Sequence, residues 1–154
     1  MRISTRGKNA IKFMMDLACH NDGEPVKLKD IAQRQNISVK YLEQIVSILH
    51  KAALVKSIKG PCGGYLLKYP PEQYTIKQIL RTTEGSISPT ECVSEDGVPC
   101  ENRETCVSYR IWKKLDSAIN DTLEGITLDD LMDWQEEIMV SNQNAKCQEK
   151  KVRI

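Results

Sequence analysis

The chain has 154 residues, of which 40% are hydrophobic and 28% are charged, so the composition fits one compact domain or a small domain with an oligomerisation element. Its apolar runs are too short to span a membrane, and its N-terminus lacks the basic-then-apolar order of a signal peptide. We therefore expect a cytoplasmic protein that has no membrane partner and keeps its thiols mostly reduced.

The charges are divided unevenly along the chain, although the net charge is only +1. Residues 1–70 contain 12 Lys and Arg against 5 Asp and Glu, whereas residues 71–154 contain 10 against 16. This asymmetry indicates that the first half meets a polyanion and that the second half has another task.

The first periodic segment, AIKFMMDLACH, predicts an amphipathic helix. Turn residues between Asn21 and Pro25 predict where it ends. The apolar residues that recur with the i, i+3, i+4, i+7 spacing of one helix face are Ile11, Met14, Met15 and Ala18.

Two further helices joined by the short turn QNIS predict a helix-turn-helix. The first has its apolar face at Leu28, Ile31 and Ala32. Ser38 is placed to cap the second helix by accepting hydrogen bonds from free backbone N–H groups. The residues of the second helix expected to face the core are Leu42, Ile45, Val46 and Leu49.

The segment LVKSIKGPCGGYLLKY predicts a β-hairpin with a glycine-rich tip. Apolar and polar residues alternate from Val55 to Ile58, and the strand pattern resumes between Tyr65 and Leu67. Such a hairpin after a helix-turn-helix is a wing. Residues 1–70 are thus predicted to form a winged helix-turn-helix domain, and the fold class is mainly α with a small β-hairpin wing.

Residues 71–86 predict a linking helix, which Thr75 would cap and Gly85 would stop. The next stretch, 87–106, has no hydrophobic periodicity and is predicted to be a cysteine-bearing sensor loop.

Residues 107–140 predict two helices that serve dimerisation. The apolar stripe of the first is too broad for a lone exposed helix and favours packing against a second copy of the chain. Thr127, followed three residues later by Asp130, is a cap signature for the second. The polar tail, residues 141–154, is predicted to be disordered.

The polar face of the second helix of the helix-turn-helix carries candidate DNA contacts, because such a helix fits the major groove. Gln44 is the candidate for a base contact, since its amide can donate and accept at one adenine edge. Lys59 precedes the glycine-rich turn of the wing, and its cation could enter the adjacent minor groove. Lys40 and Tyr41 are expected to contact phosphates. The remaining candidates are Ser38, Ser47 and Lys51. Plain helical bundles share this helical pattern, so the wing and the basic half are what favour DNA binding.

Three of the six cysteines, Cys92, Cys100 and Cys106, lie in the predicted loop with the spacing C-x7-C-x5-C. In a reducing compartment, clustered thiols are more often metal ligands or redox sensors than disulfides. These thiols could hold an iron–sulfur cluster or a zinc ion, or they could form disulfides or sulfenic acid as a redox switch. They could also be a non-functional remnant.

The other cysteines and the two histidines are weaker signals. Cys19 is expected to pack in the core, Cys62 to be incidental in the wing, and Cys147 to lie in the tail. His20 and His50 are expected at the surface or at helix ends rather than at a metal. No nucleophile–base pair or phosphate-binding loop is evident, so no enzyme is predicted; the rival class is a metal carrier or redox protein that never binds DNA.

Four segments together resemble the Rrf-type winged-helix transcriptional regulators, a superfamily with IscR-, NsrR- and CymR-like members. The segments are MRISTRGKNAIKFMMDLA, IAQRQNISVKYLEQIVSILHKAALVKSIKG, GPCGGYLL and EGSISPTEC. The resemblance, closest to the IscR-like iron–sulfur regulators, implies a homodimer on a palindromic DNA operator and a cluster on the three thiols, with [2Fe–2S] favoured over [4Fe–4S]. It also implies DNA contacts at Tyr41, Gln44, Lys59 and Pro61.

The chain departs from the IscR-like pattern at several positions. Lys59 stands where arginine is common, Cys62 where glycine is common, and Tyr109 where a histidine is found. The fourth cluster ligand is therefore open between Tyr109, a carboxylate such as Glu91, and an external molecule. The family also implies an alternative, a CymR-like repressor of cysteine metabolism that acts through a cysteine-synthesis enzyme or a thiol redox switch, without a cluster.

Overall fold

The computed structural model describes residues 3–98 and 100–151, and this part of the chain forms six α-helices and one two-stranded antiparallel sheet. Short 3-10 turns at Pro71–Gln73 and Glu91–Val93 lie before and after the fourth helix. The helices and strands, in chain order, are α1 Thr5–Cys19, α2 Leu28–Gln35, α3 Val39–Lys51, β1 Val55–Ile58, β2 Gly64–Leu67, α4 Ile76–Glu84, α5 Val107–Glu124 and α6 Leu128–Lys151. No helix in this described part of the chain is long and apolar enough to cross a membrane.

Helix α1 begins after Ser4, whose hydroxyl accepts hydrogen bonds from the backbone N–H groups of Arg6 (3.1 Å) and Gly7 (3.3 Å). Its buried face differs from the predicted one, because Ile11 and Met15 are only half-buried. The same i, i+3, i+4, i+7 spacing also fits a face that starts one residue earlier, at Ala10, and this face buries the large ring of Phe13. The apolar residues buried on this face are Ala10, Phe13, Met14, Leu17 and Ala18.

Helices α2 and α3 form the predicted helix-turn-helix. Asn36 adopts a left-handed conformation (φ 52°) between them, and the next N–H group, that of Ile37, donates to the backbone oxygen of Ala32 (2.9 Å). The hydroxyl of Ser38 accepts a hydrogen bond from the N–H of Tyr41 (3.3 Å), which confirms the predicted cap. The inner face of α3 is also confirmed, since at most 1% of each of these residues is exposed: Leu42, Ile45, Val46 and Leu49.

Strands β1 and β2 form the predicted wing as an antiparallel pair, with Val55 opposite Leu67. Two backbone hydrogen bonds of 2.9 Å also join β2, through Tyr65, to Val26 just before α2. Gly64 is needed at this junction, because a Cβ there would lie 2.3 Å from the backbone oxygen of Val26. The base of the wing is thereby fixed to the helix-turn-helix.

One continuous core joins the winged domain to the predicted linking helix. Phe13 of α1, Tyr74 before α4, Ile79 and Leu80 of α4, and Leu128 at the start of α6 belong to the same buried cluster. Helix α4 contacts α1, α3 and α5. The helix predicted as a linker is therefore part of the core, and it contacts both α3 and α5.

Helix α5 has no fully buried residue, and one row of its apolar side chains remains exposed. The exposed fractions of Val107, Ile111 and Leu115 are 77%, 57% and 43%. These residues are four apart and so share one helix face. The broad apolar stripe predicted from the sequence is present, and this part of it has no partner within the described chain.

Helix α6 begins at the predicted cap and is longer than predicted. The N–H of Thr127 donates to Oδ2 of Asp130 (2.7 Å), and the N–H of Asp130 donates to Oγ1 of Thr127 (3.2 Å). The helix continues to Lys151, where the sequence had predicted disorder from residue 141. Gln, Lys and Glu are good helix formers, and an existing helix extends without a new nucleation cost. Residues 152–154 lie outside the described part of the chain.

Candidate nucleic-acid interface and thiol loop

The outer face of α3 is polar and lies opposite its buried face. The predicted contact residues that are exposed there or at its cap are Ser38, Lys40, Gln44, Ser47 and Lys51. Tyr41 is half-buried and packs against the core, which leaves only part of its side chain open to solvent. Glu43 is exposed beside Gln44 and was not among the predicted contacts. A carboxylate repels phosphates but can accept a hydrogen bond from a cytosine amino group.

The wing tip presents Lys59, Pro61 and the thiol-bearing Cys62 to solvent. Gly60 has a φ of 114°, a conformation that favours glycine, and its carbonyl accepts a hydrogen bond from the N–H of Gly63 (3.0 Å). A Cβ at Gly63 would lie 2.2 Å from a backbone oxygen of β1. The tight turn therefore depends on its glycines and keeps the Lys59 ammonium exposed.

Tyr74 supports the wing from inside the core, a role that the sequence did not predict. Its buried hydroxyl donates to the backbone oxygen of Leu54 (2.7 Å) and accepts from the N–H groups of Lys68 (2.9 Å) and Tyr69 (2.8 Å). Burial raises the pKa of Tyr74, although these two N–H donors act to lower it. The neutral phenol thus ties both ends of the hairpin to the segment before α4.

A buried carboxylate, Asp16 of α1, fixes α2 in place. Asp16 accepts hydrogen bonds from Nε (3.0 Å) and Nη2 (2.5 Å) of Arg34 and from Nε2 of Gln35 (2.9 Å). Burial acts to raise the pKa of Asp16, but the hydrogen bonds from Arg34 and Gln35 and the charge of Arg34 outweigh it and lower the pKa. The available sequence signal was a lone acid inside the apolar run FMMDLA.

Cys19 and the histidines lie apart from these sites. Cys19 was expected in the core, but the rotated face of α1 leaves it exposed at the end of the helix. The residue is exposed overall, but partial burial of its sulfur and the charges of Asp16 and Glu136 raise the pKa of Cys19. The helix-end positions expected for the histidines are confirmed: Nδ1 of His20 lies 2.7 Å from the backbone oxygen of Asp16, and His50 is in the last turn of α3. The side chain of Cys147 lies outside the described residues.

The three loop thiols are free and half-buried, but they are not gathered into one site. Cys92 lies in the turn Glu91–Val93, with its sulfur 3.1 Å from the hydroxyl of Thr90, and Cys106 directly precedes α5. Among the residues whose side chains are described, no three Cys, His, Asp or Glu side chains are close enough to hold a metal ion. In this arrangement of the loop, Cys92, Cys100 and Cys106 do not form one group of ligands for a metal ion.

Ion pairs hold the middle of this loop on α4. Arg81 of α4 pairs with Glu95 and, over 3.1 Å, with Asp96. The hydrogen bond and charge of Arg81 hold the pKa of Glu95 below its usual value. The segment between the first two thiols is thereby attached to the helix that packs on α1 and α3. Hydrophobic periodicity in the sequence did not predict a role for Arg81.

Comparison with known proteins identifies the family. A family model described as Rrf2, iron-dependent transcriptional regulator, matches residues 3–134. The HTH-type transcriptional regulator IscR of Pectobacterium carotovorum subsp. carotovorum (strain PC1) is 37% identical over 142 residues, which cover 92% of this chain and 85% of that protein.

Solved structures agree with this match. The structure of T. potens IscR superposes with a TM-score of 0.73 at 36% identity and covers 90% of both chains. CymR (YrzC), the global cysteine regulator of B. subtilis, superposes with a TM-score of 0.72 at 42% identity and covers 87% of this chain and 98% of that one. The relatives are transcriptional regulators and not enzymes, and they share the predicted winged-helix fold. The chain therefore belongs to the Rrf2 family of transcriptional regulators.

Proposed function

We propose that the chain is a cytoplasmic homodimer that binds a double-stranded DNA operator and adjusts this binding to an iron–sulfur cluster held by Cys92, Cys100 and Cys106. One observation carries the proposal: the three free thiols stand in a single loop between α4, which packs on α3, and α5, which has the exposed apolar face. The description of the family as iron-dependent supports it.

The outer face of α3 and the wing tip support DNA binding. The buried face of α3 is packed tightly, so its outer face is held rigidly for the major groove. We assign Gln44 to a base edge and Lys59, with Pro61, to the minor groove. Binding should weaken steeply with salt, because phosphate contacts release counterions. The residues that we assign to phosphates or to the phosphate-facing side of α3 are Ser38, Lys40, Tyr41 and Lys51.

A second copy of the chain is the partner that we assign to the exposed face of α5. Val107, Ile111 and Leu115 form an apolar row on this helix, and burying it against a copy would remove it from water. A two-fold dimer would present two α3 helices to the two halves of a palindromic operator.

The donor set fits an iron–sulfur cluster in its chemistry. Thiolates are the ligands that proteins supply to such clusters, and the three loop thiols are free to serve. A bound cluster supplies redox and ligand-exchange chemistry, and we expect [2Fe–2S] rather than [4Fe–4S]. Tyr109 is half-buried three residues after Cys106, on the same side of the first turn of α5, and is one candidate fourth ligand beside Glu91 and an external molecule. Holding the cluster would order the loop at the start of α5.

The similarity to CymR favours a second candidate function. In this alternative the chain is a repressor of cysteine-metabolism genes that acts through a cysteine-synthesis enzyme or a thiol switch, with no cluster. Replacing Cys92, Cys100 and Cys106 together with alanine separates the enzyme-partner form from the cluster proposal. The enzyme would still bind to the variant in the alternative, whereas in our proposal the iron and the regulation are lost.

The test of the cluster is the ultraviolet–visible spectrum and the iron and sulfide content of protein purified without oxygen. We expect visible charge-transfer bands in the wild type, their loss in Cys92→Ala, and their retention in Cys62→Ala, which removes a thiol from the wing instead. A colourless, iron-free wild type after attempted reconstitution would contradict the cluster and leave zinc or thiol chemistry.

A further inference from the structure

We propose that Arg81 is a latch that holds the thiol loop on α4 and limits the reactivity of Cys92 and Cys100. The latch consists of Arg81, Glu95 and Asp96. It is a conformational device at the boundary between the core and the loop, and it does not require a bound metal.

In the latch, one guanidinium contacts two adjacent carboxylates. Nη1 of Arg81 pairs with Glu95, and Nη2 lies 3.1 Å from Oδ2 of Asp96. A planar guanidinium presents its donors in a fixed fork, so it restrains the positions of both carboxylates at once. The Arg81 side chain is itself only 33% exposed, which limits its own freedom.

Further contacts make the latched segment compact. The hydroxyls of Ser86 and Ser94 are 2.8 Å apart in a hydrogen bond, and the N–H of Gly97 donates to the backbone oxygen of Ser94 (3.1 Å). A Cβ at Gly97 would lie 2.4 Å from the backbone oxygen of Glu91, in the turn that contains Cys92. The turn that contains Cys92 therefore packs directly against the segment that Arg81 holds.

The helix end of the latch is rigid. Ile79, Leu80 and Thr83 of α4 are buried, and the helix contacts α1 and α3 through the common core. Lys77, one turn before Arg81, pairs instead with Glu124 of α5 over 3.4 Å. Lys77 acts on Glu95 only through its charge and makes no hydrogen bond to it, so it is a control for loss of a positive charge on α4 without loss of the latch hydrogen bonds.

The consequence for sensing rests on the proposed function. With Glu95 and Asp96 on Arg81, no three described ligand side chains are grouped to hold a metal ion. If the three thiols had to converge on a cluster, the loop would have to move against the latch. Loss of the latch ion pairs would then be one way for a change in the loop to affect α4 and, through the core, α3.

The test is the rate at which iodoacetamide alkylates each cysteine of reduced, metal-free protein, quantified peptide by peptide by mass spectrometry. We expect Arg81→Gln to accelerate alkylation of Cys92 and Cys100 by about two- to tenfold, the range that one or two exposed ion pairs support. Cys62 on the wing is the internal reference and should keep its rate. Lys77→Gln, which removes a charge near Glu95 but none of its hydrogen bonds, should change the rates of the loop thiols by less than Arg81→Gln does.

Two further variants test whether a folding defect alone explains the result for Arg81→Gln. The combined change Glu95→Gln and Asp96→Asn lies in the loop, away from the core. It should reproduce the acceleration when the rates are expressed per thiolate from their pH dependence, since loss of the two charges alone changes only the thiolate fraction. Adding Arg81→Gln to it should give no further increase, since partners in one interaction are non-additive. Raising the salt concentration should accelerate the loop thiols in wild type but not in these variants.

Equal rates in wild type and Arg81→Gln would overturn the latch, as would a full additive effect of the combined changes. Because the protein is metal-free, this result is independent of the cluster test: a colourless protein would contradict the proposed function and leave the latch standing.

Discussion

At the scale of single residues, the fold depends on two buried polar side chains that have hydrogen-bond partners. Asp16 joins α1 to α2 through Arg34 and Gln35, and Tyr74 joins the wing to α4 through three backbone groups. Buried polar groups are costly without partners and specific with them, so these residues fix where the helix-turn-helix and the wing sit on the core.

Replacing Asp16 with Asn should lower the free energy of unfolding by about 1–3 kcal/mol at pH 7, because Arg34 and Gln35 lose a charged acceptor. The pKa of Asp16 is lowered in the folded state. Its contribution is therefore present above the unfolded pKa of about 3.9 and is lost as the pH falls through the folded pKa. Urea unfolding of both proteins between pH 7 and pH 2 measures this, and the difference should shrink in acid.

The control for this change is Asp133→Asn on the exposed side of α6, which should alter the free energy of unfolding by less than about 0.5 kcal/mol at pH 7. A difference between wild type and Asp16→Asn that stays constant down to pH 2 would contradict the assignment.

Residue types alone could not predict which polar groups pair. The cap at Ser38 was predictable because its partner is three residues away, whereas Asp16 and Arg34 are 18 residues apart and meet only when α1 packs on α2. The predicted burial of Cys19 was wrong because the buried face of α1 is shifted by one residue from the predicted face. Two adjacent faces have the same spacing there, and packing of Phe13 decides between them.

At the scale of elements, α3 should contact both base edges and phosphates, through different residues. Replacing Gln44 with alanine should weaken binding to the operator by about 1–3 kcal/mol and leave binding to unrelated DNA unchanged. Replacing Lys40 with alanine should weaken both and lower the slope of log affinity against log salt by about one. Fluorescence anisotropy with the two DNAs at several salt concentrations measures both. Equal loss on both DNAs for Gln44→Ala would remove it from the base-reading role.

The elements were more predictable than their lengths. Local signals identified α2, α3, the wing, α4 and the start of α6, since caps, glycines and periodicity act within a few residues. The end of α6 was missed because a polar composition was taken as disorder, although polar helix formers can extend an existing helix to Lys151.

At the scale of the whole molecule, the exposed row on α5 should be the dimer interface. Changing Ile111 and Leu115 together to glutamate would place charges in that interface and should convert the dimer to a monomer, measured by light scattering after size-exclusion chromatography. Val98→Glu is the control, because Val98 is 87% exposed in the loop and should tolerate the change. A dimer that persists in the double variant would contradict this interface.

The architecture suits the proposed sensor because one core spans the helix-turn-helix, the wing and the helix whose Arg81 contacts the loop. The basic half contains α3 and the wing, and the acidic half contains the thiol loop and α5. The sequence predicted this division from charge and motif, but it could not show that α4 packs on α3 while Arg81 holds the loop. Those contacts depend on tertiary packing.

The measurement that tests the central claim most directly is the affinity of oxygen-free protein for DNA selected by it from a random pool, before and after a chelator removes its iron. We predict a change of about tenfold or more, the scale of typical coupling between two sites. The change should be absent in the variant with alanine at Cys92, Cys100 and Cys106. The same affinity with and without iron would contradict the account.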